Sequence, residues 1–320
     1  MAIDESAAAE LNRRFGVPGQ VEFRATPHGL LVADLANTQA TGSICLQGGH
    51  LLQWQPRTQP TPVIWMSEAA RFEPGRAIRG GVPVCWPWFG ANPTDASLPS
   101  HGFARTAPWA VTACTAHADG GTRITLALDR AALRASLAPE RTGGIGFDQF
   151  DLELTATIGA TLRVELVTSN RGDAELAISE ALHAYFRVAD VGAIAIDGLD
   201  GAAYIDQVDG NSRKVQRGAI RFDGEVDRVF VGSTATCRID DPGLERRIEI
   251  EKSGSNSTVV WSPAAEKAQR LGDLGGEVGG KAGWRTMVCV ESANAFDDTV
   301  RIAAGANHRL AFDVRVGPRG

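Results

Sequence analysis

An all-β fold, a large antiparallel β-sandwich with a short N-terminal helix, is the class this sequence predicts, and three observations carry it. Glycine and proline account for 36 and 15 of the 320 residues, so turns are frequent and long helices few. Apolar residues recur at every second position in many short runs, the period of a half-buried strand. These runs follow one another without the regular helices that a parallel sheet needs between its strands. They are too numerous for one small barrel, and no shift of composition divides the chain, so residues 1–320 are expected to form a single domain.

The elements can be justified in order. ESAAAELNRRFG is built from good helix formers and closed by Gly16 and Pro18, which predicts a helical extension within residues 1–16. Strand-like runs then occupy residues 22–26, 30–36, 43–47, 62–67, 109–116 and 123–129, bounded by Gly, Pro, Asn or Asp. DRAALRASLAPE, residues 129–140, is the other helical interruption. Residues 150–170 alternate on both sides of a central IGA and predict a long hairpin. Further strands are expected within 193–199, 219–232, 235–241, 246–254, 258–262, 285–292, 300–304 and 310–316. Residues 272–280, GDLGGEVGG, have the glycine content of a phosphate loop but lack its Lys-Ser/Thr ending, and read as a flexible connection.

Composition excludes several function classes. A net charge of −6 leaves no basic footprint for nucleic acid or an acidic membrane, so the positive charge for any anionic ligand must be local. Five scattered cysteines without a C-x-x-C argue against a disulfide framework and a zinc site, and for a reducing compartment. The first fifteen residues lack the apolar stretch of a signal peptide, and no run of eighteen apolar residues occurs. A cytoplasmic protein is expected, with no nucleic-acid or membrane partner. G-x-S-x-G, H-E-x-x-H and a helix-opening G-x-G-x-x-G are all missing, which leaves hydrolase, zincin and dinucleotide readings without motifs.

What remains is histidine, carboxylate and arginine. In SEALHAYFRV, alternation sets Ala181, His183 and Tyr185 on one strand face, from which a histidine can exchange protons near neutral pH; a core histidine bonded to a carbonyl fits the same pattern. Glu291 closes the apolar run MVCVE, either as a working carboxylate or as a strand end facing water. The stretch RAIRGGVPVCWPWFG, residues 76–90, places Arg79 before a Gly-Gly pair and two of the seven tryptophans. Arg79 and Arg105 suit an anion, with the Gly80 and Gly81 amides close by, or suit structural ion pairs. Trp86, Trp88 and Phe89 read as packing more readily than as a sugar platform.

Taken together, RGGVPVCWPWFG, LPSHGFARTAPW, EALHAYFRVADV, GEVDRVF and VCVESANAF resemble, in sequence and order, the D-hexose-6-phosphate mutarotases, or glucose-6-phosphate 1-epimerases, of the aldose 1-epimerase superfamily. The resemblance runs from about Thr41 to the C-terminus. It implies a galactose mutarotase-like supersandwich and an isomerase that interconverts α and β anomers of a hexose 6-phosphate, with no metal or other cofactor. It implies that His183 and Glu291 are catalytic, that Arg79 and Arg105 hold the substrate, and that Asp227 binds the sugar. His101 is expected to line the pocket without being the acid. Ser100 stands where relatives can carry glutamine, a shorter reach toward the substrate. Glu291 is expected to begin as carboxylate and His183 as imidazolium. A monomer is expected. The rival readings are an epimerase of unphosphorylated aldoses and a sugar-phosphate-binding module without turnover.

Overall fold

The structure is a computed structural model and describes residues 5–278 and 281–319. The first four residues of the expected helical extension, and Gly279 and Gly280 of the glycine-rich connection, lie outside the described residues. The helix itself runs Glu5–Phe15 and ends at Gly16, whose N–H donates to Asn12 O.

Every ladder between strands is antiparallel. A four-stranded meander comprises Val21–Ala25, Leu31–Ala36, Ala40–Cys45 and His50–Pro56. One eight-stranded sheet runs Ala195–Asp197, Cys237–Asp241, Arg246–Ser253, Asn307–Pro318, Leu162–Asn170, Phe150–Ile158, Thr122–Leu128 and Trp109–Ala116. The other, which carries the site, runs Ser212–Val215, Ala203–Asp206, Val226–Phe230, Ser257–Ser262, Met287–Asn294, Glu180–Leu182 and Val84–Cys85, with Tyr185–Arg187 also paired to Met287–Asn294.

Alternation decides which side of that sheet is core. Val226, Phe230, Val260, Val288 and Val290 join the main apolar cluster with Ile124, Leu154, Ile248 and Phe312 of the second sheet. Asp227, Val229, Val259, Trp261, Cys289 and Glu291, one position out of phase, therefore share the opposite face. On that face small apolar and aromatic groups form two separate clusters, one around Trp65, Tyr185, Trp261 and Cys289 and one around Cys85, Ala181, Val259 and Ala293.

The structure corrects four expectations. Residues 62–67 are not a strand; Ile64 and Met66 make only isolated bridges, to Phe186 and Gly80, because Pro62 opens the run and Gly80-Gly81 approaches it too closely for a regular ladder. The strands His50–Pro56, Val84–Cys85, Leu176–Ile178, Ala203–Asp206 and Ser212–Val215 were not anticipated. Within residues 219–232 only Val226–Phe230 is strand. Ala264–Leu271 is a helix, signalled by Pro263 before it and by Gly272 at φ +68° after it.

Candidate active site

The face just described opens into a cavity of ≈ 430 Å³ lined by Arg79, Ser100, His101, Arg105, His183, Asp227 and Glu291, together with residues the sequence did not single out, among them Gln207, Trp261 and Lys267. All seven candidate residues thus converge on one place.

Sheet register builds its floor. Asp227 pairs with Trp261, which pairs with Cys289, which pairs with Tyr185; in the next row Val229 pairs with Val259, which pairs with Glu291. Ala181 lies opposite Ala293 and Tyr185 opposite Cys289, so the intervening count puts His183 across from Glu291. The result is a contact of 3.3 Å between His183 Nε2 and Glu291 Oε1. His183 keeps the face that alternation assigns it, but not within a continuous strand: the ladder breaks at residues 183 and 184, where Ala184 N–H donates to Leu182 O and His183 N–H to Pro83 O. Its ring stacks on Tyr185 at 4.9 Å and meets His101 edge-on at 5.7 Å. Glu291, expected at a strand end, is instead in the middle of Met287–Asn294 and only 1% exposed.

Burial opposes charge on both partners. Desolvation, reinforced by His101, Arg79 and Arg105, holds His183 well below its usual range, and desolvation with the nearby Asp227 carboxylate pushes Glu291 well up. Burial thus disfavours the charged form of both groups, opposite to the carboxylate and imidazolium expected from the reference values. His183 Nδ1 and Glu291 Oε2 are buried without a hydrogen-bond partner.

The cations differ in how they are engaged. Arg79 donates from Nε to Asp273 Oδ1 and from Nη1 to the Tyr185 hydroxyl, both at 3.0 Å. Lys267 reaches Glu225 at 2.6 Å and Asp227 at 3.5 Å. Arg105 donates to Ser100 O at 2.6 Å and, among the described residues, makes no ion pair, so its charge is open to a ligand. Asp227 accepts from Gln207 Nε2 at 2.6 Å. His101 has φ +65° and its Nδ1 accepts from Gly90 N–H at 3.2 Å, which leaves the proton on Nε2; burial and the two arginines lower it to about 3, so it is neutral. A neutral His101 can donate to a sugar oxygen but cannot serve as the acid.

The Gly-Gly pair has a structural reason. A Cβ on Gly81 would meet His50 Nε2 and Leu51 O at 2.4 Å, and its N–H already donates to Trp65 O. Trp86 is fully buried with Nε1 on Thr168 Oγ1, and Trp88 Nε1 donates to Pro99 O, whereas Phe89 reaches the cavity wall. The tryptophans are core that anchors the segment carrying Arg79.

Residues 32–315 match the family model described as aldose 1-epimerase. The chain belongs to the aldose 1-epimerase family. It is 33% identical over 291 residues to a protein of Escherichia coli, 91% of each chain being covered, and 34% identical over 267 residues to one of Salmonella typhimurium, at 83% of each; both carry the name "Putative glucose-6-phosphate 1-epimerase". The crystal structure of a Salmonella typhimurium protein described as a "putative mutarotase" superposes with a TM-score of 0.81 at 32% identity, covering 95% of both chains. The galactose mutarotase-like fold follows, and all seven candidate residues fall inside the matched region. The cavity thus sets a histidine and a carboxylate 3.3 Å apart beside a polar wall.

Proposed function

We propose that this epimerase interconverts the α and β anomers of an aldohexose 6-phosphate, with glucose 6-phosphate the leading candidate. The observation that carries the reading is the buried His183–Glu291 pair, 3.3 Å apart on the floor of a cavity where Arg105, among the described residues, pairs with no carboxylate. The names of the relatives supply the phosphorylated substrate.

The pair holds one proton, and the charged and uncharged forms differ only by its movement along the contact. A phosphate dianion in the cavity favours the imidazolium form. Glu291 carboxylate then takes the O1 proton as His183 delivers one to O5; the C1–O5 bond breaks and its electrons leave on oxygen, giving the aldehyde. After opening, Glu291 is protonated and His183 neutral, the state that burial favours. Rotation about C1–C2 presents the other face of the carbonyl, and reclosure reverses both transfers. Arg79 and Asp227 hold the sugar from two walls of the cavity.

A monomer is the state proposed, and all five cysteines are free thiols, which suits the cytoplasm. Among the described residues no helix is long and apolar enough to cross a membrane. The test is polarimetry of freshly dissolved α-glucose 6-phosphate and of α-glucose. Wild type should speed equilibration of the phosphate above the spontaneous rate, and His183→Ala should lose about 10²- to 10⁴-fold of that acceleration. No acceleration of either sugar would reassign the cavity to binding alone; equal acceleration of both would remove the phosphate.

A further inference from the structure

Cys289 has no part in this reaction, yet it lies beneath the catalytic pair. It shares the strand face of Glu291, two residues away, and sits opposite Tyr185, the ring on which His183 stacks. One ligand atom from each of His183, Cys289 and Glu291 lies within 4.8 Å of the others. Two ligands bonded at about 2.1 Å to a tetrahedral zinc are about 3.4 Å apart. The His183 Nε2 to Glu291 Oε1 edge, 3.3 Å, already has that spacing. His183 and Glu291 are 9% and 1% exposed, and beside that edge Glu291 Oε2 is buried without a hydrogen-bond partner, as is His183 Nδ1, which points away from it.

We propose that His183, Cys289 and Glu291 form an inhibitory site for a borderline-soft divalent cation, Zn²⁺ above all, which locks the acid–base pair. A thiolate with an imidazole selects zinc over magnesium or calcium, which prefer oxygen alone. On binding, the Cys289 S–H bond breaks, a zinc–sulfur bond forms and the proton leaves to solvent; Glu291 releases its proton likewise, and neutral His183 donates a lone pair. Two anionic ligands cancel the dication, so the complex adds no net charge beside Arg79 and Arg105. A closing movement of about 1 Å by the thiol completes the triangle, and the fourth position faces the cavity. Inhibition rests on the epimerase reading; metal binding does not.

The experiment uses the full chain freed of metal with EDTA. Co²⁺ should produce a thiolate-to-cobalt band in the near ultraviolet, displaced by Zn²⁺ and missing in Cys289→Ala. In polarimetry the EDTA-treated enzyme should be fully active, Zn²⁺ should suppress it, and EDTA should restore it. Cys289→Ala should keep its metal-free activity while its half-inhibitory Zn²⁺ concentration rises at least about tenfold, since even outer partners of a metal are worth about 10- to 100-fold. If that variant misfolds by circular dichroism, Cys289→Thr carries the same comparison. A wild-type protein without the cobalt band, or Zn²⁺ inhibition unchanged by the substitution, overturns the site. Should the protein prove inactive on both sugars, the cobalt titration still decides whether metal binds.

Discussion

Arg105 and Arg79 look equivalent in the sequence, one after HGFA and one before GG, and the structure separates them by their partners. Arg79 is held by Asp273 and the Tyr185 hydroxyl, whereas Arg105 contacts only the Ser100 carbonyl by a side-chain hydrogen bond among the described residues. A charge-assisted hydrogen bond contributes about 1.5–3 kcal/mol, or about 10- to 150-fold in affinity. Arg105→Ala should therefore raise KM for glucose 6-phosphate by that factor and leave KM for glucose nearly unchanged, as steady-state polarimetry can read; equal shifts for both sugars would detach Arg105 from the phosphate. The chemistry of the residues was legible from their types, but the protonation of the His183–Glu291 pair was not. Reference values favour a charged pair, and burial at the cavity floor acts against the charge on both partners.

At the scale of elements, the segment after the helix Ala264–Leu271 is more than the plain connection its glycines suggested. Asp273 holds Arg79, its carbonyl accepts from Ser67 Oγ at 2.6 Å, and Leu274 is buried against Trp65, Tyr185 and Trp261. A line of contacts thus runs from Asp273 through Arg79 and Tyr185 to the His183 ring. Asp273→Asn should lower kcat about tenfold, less than the about 10²- to 10⁴-fold expected for loss of an acid or base itself, with little change in melting temperature. Asp273→Glu should recover part of it. A matching loss of melting temperature without loss of kcat would reduce Asp273 to a structural role. The helix before it was readable from Pro263, Gly272 and the helix formers between them. Lys267, which that helix carries to Glu225 and Asp227, could have been found from the same signal.

Over the whole molecule, Glu180 links the two large sheets from inside the core. It is fully buried, accepts from Thr168 Oγ1 at 3.4 Å and lies 3.3 Å from His308 Nε2 of the facing sheet. Desolvation pushes it from 4.5 up to about 8 and also lowers His308, so the two meet as neutral groups. A carboxyl raised on folding contributes stability that is full below its unfolded value and lost as pH rises through its folded one. The melting-temperature advantage of wild type over Glu180→Gln should consequently shrink as pH rises from about 4.5 to about 8. Parallel profiles for the two proteins would show that Glu180 does not govern it. By itself the sequence determined the β class and most strand positions and put forward a set of residues for the chemistry, because alternation, turn residues and motif order are local properties of the chain. Tertiary structure alone decided that residues from 79 to 291 meet in one cavity, which of the two arginines makes no ion pair among the described residues and how burial acts on His183 and Glu291, because those depend on register, burial and neighbours far apart along the chain.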